Sequence, residues 1–319
     1  DNASTIKNHI KPLIGNMPIK SVNCGVLEDL LTDIKAGQKT KSKTKSIKPR
    51  GVSVVRGGTY AAKKAIELLS AMFNFAMRYD KLDKNPAQCV KKPKDNVREV
   101  FLSHDELPDF GKLLSNEHVV AVYGVWVNVI KLLLLTGCRK TEIQSLKWEY
   151  INFDEQYFDF PDTKTGAQKR VFGRGALTLL QELYKYRDPN SPFVFPATRD
   201  SKDGYLTAAY KMLGVIMNTR DKNNRLIFSK PGLAIHSLRH TFASIGEYLG
   251  ISPLIIGGLL GHSKGHIGIT GHYIHTVDKS LRDAADSISL EIINALNGNI
   301  LKDVPHAITP KDNKTISNS

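Results

Sequence analysis

The sequence contains few cysteines and no long uninterrupted apolar run. Its three cysteines, Cys24, Cys89 and Cys138, lie far apart, without the paired spacing of a zinc ribbon or the even count of a secreted disulfide scaffold. We therefore expect a reducing, cytosolic environment and no disulfide framework. No apolar run approaches the roughly 20 residues that a membrane span requires, which argues against a transmembrane protein. The chain begins Asp-Asn-Ala-Ser, without methionine or signal peptide, so we expect that N-terminal residues are missing.

The remaining composition is that of a globular protein. The chain has 319 residues, of which 41% are hydrophobic and 24% charged, so two compact domains are expected. The formal net charge is +14, and basic residues that face phosphates release condensed counterions. Residues 1–100 carry a net charge of +11 and residues 101–319 only +3. A polyanionic partner is therefore predicted, bound mainly by the N-terminal third.

One stretch of this N-terminal third contains basic residues and no acid. It holds Lys35, Lys39, Lys41, Lys43, Lys45, Lys48 and Arg50. Charge runs of this kind are typical of a solvated, mobile loop. A loop of this kind can also wrap DNA, so the residues from Lys39 to Arg50 are candidate DNA contacts.

The pattern along the chain is mainly helical. In the first segment, Ser4 is a predicted N-cap, Val26–Ile34 a second helix and Tyr60–Tyr79 a long third helix. In the third helix, a core stripe recurs at helical spacing: Ile66, Leu69, Met72, Phe73 and Ala76. A polar, proline-interrupted linker follows Pro86, and it predicts a domain boundary near residue 98.

The second segment opens with a helix start at Ser103–Glu106, followed by an apolar helix at Val119–Leu135. Two short β-patterns, Tyr157–Pro161 and Lys169–Phe172, predict a hairpin with Lys164 at its tip. Helical patterns then continue to about residue 297, and residues 298–319 form a polar tail. The predicted fold is mainly α with a small antiparallel β-sheet.

Four short motifs in this segment carry the chemistry. They are Thr136-Gly137-Cys138-Arg139, His236-Ser237-Leu238-Arg239-His240, Leu260-Gly261-His262 and Gly271-His272-Tyr273. Each motif alone is weak, since a glycine turn followed by an arginine is common. Their order and spacing, together with Lys164, resemble the tyrosine recombinase (phage integrase) family over the whole second segment. The first segment resembles the family's helical core-binding domain.

The resemblance implies a core-binding domain at 1–98 and a catalytic domain at 99–297. A phosphodiester is anionic, and two arginines supply planar, permanently charged groups for its oxygens. Arg139 and Arg239 are predicted in that role, and Glu142, one helical turn after Arg139, is expected to orient the cationic groups.

The other implied roles concern proton and bond transfer. Tyr273 is the implied nucleophile, which forms a 3′-phosphotyrosine link, and Lys164 protonates the departing 5′-oxygen. His236 acts as general base or as a proton-sharing partner of the nucleophile, and His262 donates a hydrogen bond to the phosphate. Because the covalent link keeps the bond energy, we expect no cofactor, and the sequence has no Walker-type phosphate loop or obvious metal cluster.

Several alternatives are open at the level of sequence. Lys169 is the substitute for Lys164. His236 and His240 have the spacing of a helical zinc pair, but a zincin requires glutamate where this chain has Ser237. Cys138 is read as a small buried side chain. A type IB topoisomerase-like activity and a DNA-binding regulator without catalysis are the alternative functions; the intact set of motif residues argues against the second.

The C-terminal helix and the loop before Tyr273 carry information about the subtype of recombinase and about its assembly. The glycine-rich stretch 263–270 favours a prophage or genomic-island integrase over a chromosome-dimer resolvase. An amphipathic stripe follows at Leu281, Ala284, Ala285, Ile288 and Ile292. It either packs within its own domain or, by analogy with the family, docks onto a neighbour in a DNA-bound homotetramer. The expected setting is the bacterial cytoplasm, associated with the nucleoid, and DNA-bending proteins are possible accessory partners.

Overall fold

The protein forms two compact units, residues 1–98 and 99–319. The computed structural model describes residues 2–37, 43–45, 52–55, 57–93, 100–163, 166–198, 201–261 and 274–299. For residues 43–45, 52–54 and 274–278 it describes the backbone alone. Most described residues are helical, and the strands form small antiparallel sheets. The predicted fold class is confirmed.

The first unit is a small helical domain. Its helices are α1 (Asn2–Thr5), α2 (Lys11–Ile14), α3 (Cys24–Ala36) and α4 (Thr59–Arg78). A π-helical turn joins α1 to α2. Because Ser4 lies inside α1, its prediction as an N-cap is wrong. The cap that is present is Asn23, whose side chain accepts a hydrogen bond from the amide of Val26 at the start of α3.

The core of this unit lies between α3 and α4. Leu27, Leu30 and Ile34 of α3 are buried, and so are most members of the predicted stripe of α4. Met72 is the exception, with 43% of its surface exposed, because it lies at the edge of the apolar face. Long apolar side chains on both helices therefore hold the unit together.

The cysteines of this unit are joined, contrary to the expectation from their spacing. Cys24, at the start of α3, forms a disulfide with Cys89, 65 residues later. Cysteine spacing could not reveal this pair, because the folded chain brings the start of α3 to the segment after α4.

The basic segment is only partly described. Its residues 43–45 form β1 (Lys43–Lys45), which pairs antiparallel with β2 (Val52–Val54). The prediction of a loop is therefore wrong for these three residues, since the backbone groups of β1 and β2 pair with each other. The other candidate DNA contacts lie outside the described residues: Lys39, Lys41, Lys48 and Arg50.

The second unit combines eight described helices with a three-stranded sheet. Its helices are α5 (Leu107–Leu114), α6 (Glu117–Thr136), α7 (Lys140–Gln144), α8 (Arg174–Lys185), α9 (Ala209–Met217), α10 (Ser237–Tyr248), α11 (Pro253–Leu260) and α12 (Ile274–Leu296). The strands are β3 (Ile151–Asn152), β4 (Tyr157–Phe160) and β5 (Gln168–Val171), in the order β3-β4-β5. The predicted helix start is confirmed by a capping box between Ser103 and Glu106. The predicted hairpin is also confirmed.

Helix α6 is the central helix of this unit. It packs against α8, α9, α10 and α12. Among the described helices it alone is long and apolar enough to cross a membrane, and half of its most apolar stretch is buried in the protein. The expectation that no stretch reaches this length is therefore wrong. The burial shows that α6 serves as a core helix.

Helix α12 packs within its own domain, against α5, α8, α10 and α11. Ala284, Ala285, Ile288 and Ile292 are buried there, and Leu281 packs against the same core. Of the two alternatives for the amphipathic stripe, the structure selects intramolecular packing. The stripe itself is thus not free to contact another subunit, which corrects that expectation.

Candidate active site

The turn between α6 and α7 places the first motif. Gly137 ends α6 with a φ of +60°, and a Cβ there would overlap Phe242 and Leu260. Glycine is therefore needed for both conformation and space. The turn directs the chain into the core at Cys138, which is buried and carries a free thiol whose pKa is raised by burial. Arg139 follows at the start of α7.

Arg139 is fixed by Glu142. The Glu142 carboxylate accepts one hydrogen bond from the Arg139 amide at 2.7 Å and another from Arg139 Nη1 at 2.8 Å. The Glu142 side chain is only 6% exposed, whereas that of Arg139 is 25% exposed. The carboxylate thus caps α7 and holds the guanidinium while leaving part of it accessible.

Arg239 lies on α10 and is buried. Its Nη1 donates to the carbonyl oxygen of Gly137 and its Nη2 to that of Leu260, both at 2.7 Å. These bonds tie the C-terminal ends of α6 and α11 together through one side chain. Burial, then Arg170 and Arg139, lowers the pKa of Arg239 to about 10, so the group stays charged at neutral pH.

His236 immediately precedes α10. Its ring contacts that of His240, with the ring centroids 4.9 Å apart. Desolvation, followed by the charges of His240, Arg239 and Arg139, lowers the pKa of His236. The imidazole is therefore neutral at pH 7, the state in which it can accept a proton.

The β4–β5 hairpin lies at the edge of a cleft that includes Arg139. The cavity has a volume of about 440 Å³ and is lined by residues of α7 and by the hairpin residues Phe160–Thr163. Backbone hydrogen bonds between Thr163 and Gly166 close the hairpin. Lys164 itself lies outside the described residues. Lys169, its substitute, is on the outer face of β5, with its ammonium group 4.7 Å from the centre of the Tyr157 ring.

One buried arginine was missed by the sequence analysis. Arg170 of β5 pairs with Phe158 of β4 and is 2% exposed. The charge of Arg170 also reaches the site, since it is among the causes that lower the pKa of Arg239. The signal available in the sequence was alternation, because strand residues of the same parity share a face. Alternation indicates that Lys169 and Arg170 lie on opposite faces, and the structure shows that Arg170 is the one that faces the core.

The structure therefore brings together four of the seven predicted site residues: Arg139, Glu142, His236 and Arg239. The other three, Lys164, His262 and Tyr273, lie outside the described residues. Within the part of the chain that is described, no three His, Cys, Asp or Glu side chains are grouped as metal ligands must be.

Guanidinium groups gathered at helix ends are typical of a protein that binds phosphate groups. Residues 101–280 match the family model "Phage integrase family". The chain belongs to this family, that of the tyrosine recombinases.

Individual relatives agree with this assignment. The chain is 28% identical over 187 residues to the tyrosine recombinase XerA of Pyrococcus horikoshii, covering 56% of this chain and 62% of that protein. It is 26% identical over 167 residues to the prophage integrase IntF of Escherichia coli, covering 52% of this chain and 34% of IntF. The chain thus spans less than two thirds of the length of either relative.

A solved structure shares the fold. A lambda integrase tetramer bound to a Holliday junction is 18% identical, with a TM-score of 0.58, covering 89% of this chain and 71% of that chain. At this identity the similarity establishes the fold alone.

Proposed function

We propose that the protein is a site-specific DNA recombinase that cuts and rejoins strands through a 3′-phosphotyrosine intermediate. The observation that carries the proposal is the pair Arg139 and Arg239. One is held by Glu142, the other by carbonyl oxygens at two helix ends, and both are next to the same turn at Gly137. Such a pair suits the two non-bridging oxygens of a phosphodiester.

The proposed reaction exchanges one phosphate ester for another. The phenol oxygen of Tyr273 attacks phosphorus and loses its proton to His236, whose pKa is lowered. The bond to the 5′-oxygen breaks, and Lys164 gives that oxygen a proton. The guanidinium groups and His262 stabilise the charge that builds on the phosphorane-like transition state. Rejoining reverses these steps.

The proposed partner is double-stranded DNA. The net charge of +11 on residues 1–100 supports binding of the phosphate backbone there. A role in integrating or excising a mobile element is supported by the similarity to a prophage integrase. We place the protein in the bacterial cytoplasm, at the nucleoid, because its proposed substrate is DNA; the cysteines do not support this location, since Cys24 and Cys89 are joined. DNA-bending proteins are its proposed accessory partners.

Assembly into a homotetramer on DNA is also part of the proposal, supported by the tetrameric lambda integrase that shares the fold. Since the apolar stripe of α12 is used internally, we expect the contact to involve the outer face of this helix, where Leu290 is exposed.

The test uses a nicked DNA duplex whose sequence is taken from the repeats that flank the mobile element carrying the gene. The nick makes the fragment that leaves with the free 5′-hydroxyl short enough to diffuse away, so a covalent protein–DNA complex accumulates and is seen on a denaturing gel. Wild type and the control Tyr186→Phe, at an exposed tyrosine, should form the complex, and Tyr273→Phe should not. A complex that survives in Tyr273→Phe, or is missing in wild type that binds the DNA, contradicts the proposal.

A further inference from the structure

Arg170 is a buried cation without a counter-ion among the described residues. Its Nε donates to the carbonyl oxygen of Leu259 at 2.9 Å. Its two terminal nitrogens are buried and have no hydrogen-bond partner in the described part of the chain. Burying a charge in this way is unfavourable unless something compensates for it. A fully buried guanidinium of this kind therefore calls for an explanation beyond packing.

The position of Arg170 relates it to the predicted site. Helix α11 ends at Gly261, with a φ of +63°, and a Cβ at Gly261 would overlap Nη1 of Arg170. Arg170 binds the carbonyl of Leu259, while Arg239 binds that of Leu260. Two arginines thus hold consecutive carbonyl groups at the end of α11.

Arg170 also links this helix end to the hairpin. It lies on β5, in register with Phe158 of β4, and the turn of the same hairpin contains Lys164 in the sequence. His262 follows Gly261 directly in the chain. Arg170 therefore connects the hairpin that leads to Lys164 with the helix end that leads to His262. Its positive charge also lowers the pKa of Arg239.

The net charge of the described site residues also indicates a role for Arg170 in the reaction. Three guanidinium groups, those of Arg139, Arg170 and Arg239, are accompanied by one carboxylate, that of Glu142. Two positive charges are left over. A phosphodiester carries one negative charge and a phosphorane-like transition state carries two. An additional cation in this cluster is favoured more by the growing negative charge of the transition state than by the bound substrate, which is the condition for accelerating a step.

We propose that Arg170 is a positioning residue of the strand-cleavage site: it fixes the end of α11 against Arg239 and the hairpin, and adds a buried positive charge for the transition state. This inference rests on the proposed function. It predicts a defect in the chemical step and not in DNA binding.

The experiment compares Arg170→Met and Arg170→Lys with wild type on the nicked duplex, under single-turnover conditions. Arg187→Met is the matched control, since Arg187 is exposed and its guanidinium lies over the Tyr184 ring. We expect Arg170→Met to slow covalent-complex formation by about 10²-fold, by analogy with the loss of one oxyanion donor. Its affinity for intact DNA should stay within about threefold, since backbone contacts elsewhere dominate binding. Arg170→Lys, which keeps the charge, should recover part of the rate.

A second substrate distinguishes the loss of the Arg170 charge from a general loss of structure in the variant. A methylphosphonate at the scissile position replaces one charged oxygen by a methyl group, so the transition state carries one negative charge fewer. The defect of folded Arg170→Met should then shrink to about tenfold or less. Near-UV circular dichroism verifies folding, and if the methionine variant unfolds, the lysine variant carries the comparison.

The outcomes are distinct. If folded Arg170 variants cleave as fast as wild type, or lose the same factor on both substrates, the inference is overturned and the proposed function stands. If wild type forms no Tyr273-dependent complex, the proposed function fails, and this inference fails with it.

Discussion

The buried carboxylate of Glu142 gives the sharpest test of how the site is held. Glu142→Gln keeps the shape of the side chain and replaces one oxygen by an NH₂ group. Because Glu142 receives hydrogen bonds from the Arg139 amide and from Arg139 Nη1, the glutamine must present its NH₂ group to one of these donors. One bond is lost, and the buried ion pair loses its charge.

The magnitude follows from these contacts. A hydrogen bond to a charged group contributes about 1.5–3 kcal/mol, and loss of a helix cap costs about 0.5–2 kcal/mol. The two contributions add to roughly 2–5 kcal/mol, which lowers the melting temperature of a domain of 150–250 residues by about 4–20 °C. The exposed control is Glu149→Gln, whose 65% exposed side chain pairs with Lys147 and should change the stability by less than about 0.5 kcal/mol.

The assay is thermal unfolding followed by near-UV circular dichroism, with both variants and wild type in one buffer. Glu142→Gln should also slow covalent-complex formation on the nicked duplex, because the Arg139 guanidinium is no longer fixed. A melting temperature within 1 °C of wild type, or equal effects at Glu142 and Glu149, would show that the ion pair does not hold Arg139 as argued.

Three further predictions concern other contacts. The pKa of His236, measured by NMR, should lie below 6.5, and a value at or above 6.5 contradicts this prediction. Because the unfolded chain then binds more protons than the folded one, the free energy of unfolding should fall as the pH is lowered from 6.5 through the depressed pKa. His104→Ala leaves the buried Glu291 carboxylate without its 2.6 Å partner and should cost about 1–3 kcal/mol in urea unfolding, whereas Asp105→Asn, 93% exposed, should cost almost nothing. Thiol titration of denatured, unreduced protein should find Cys138 alone, and reducing the disulfide should destabilise the first unit by about 4 kcal/mol; three reactive thiols would refute the pairing.

Local patterns predicted the secondary structure well where neighbours in sequence are also neighbours in space. The capping box at Ser103 and Glu106 is formed by residues three apart, and the α4 stripe follows from 3.6-residue periodicity. The errors lie where this condition fails. Ser4 is a cap only if the helix starts after it, and in the structure the helix already begins at Asn2.

For the candidate site, too, local patterns were informative and long-range contacts were not predictable. The sequence by itself predicted the motif arginines, since Arg139 follows a glycine turn, Arg239 lies in a histidine motif, and the order and spacing of the motifs resemble the family. Only the tertiary structure decided which groups hold them: Arg239 reaches the carbonyl of Gly137, 102 residues away, and Arg170 that of Leu259, 89 residues away.

The same reason explains the remaining differences. The pairing of Cys24 with Cys89, the contact of His104 with Glu291 and the partner of the α12 stripe all join segments far apart in the chain. Periodicity and capping report which face of an element is apolar or where it begins. What that face meets depends on how the elements pack, and this information is present only in the folded chain.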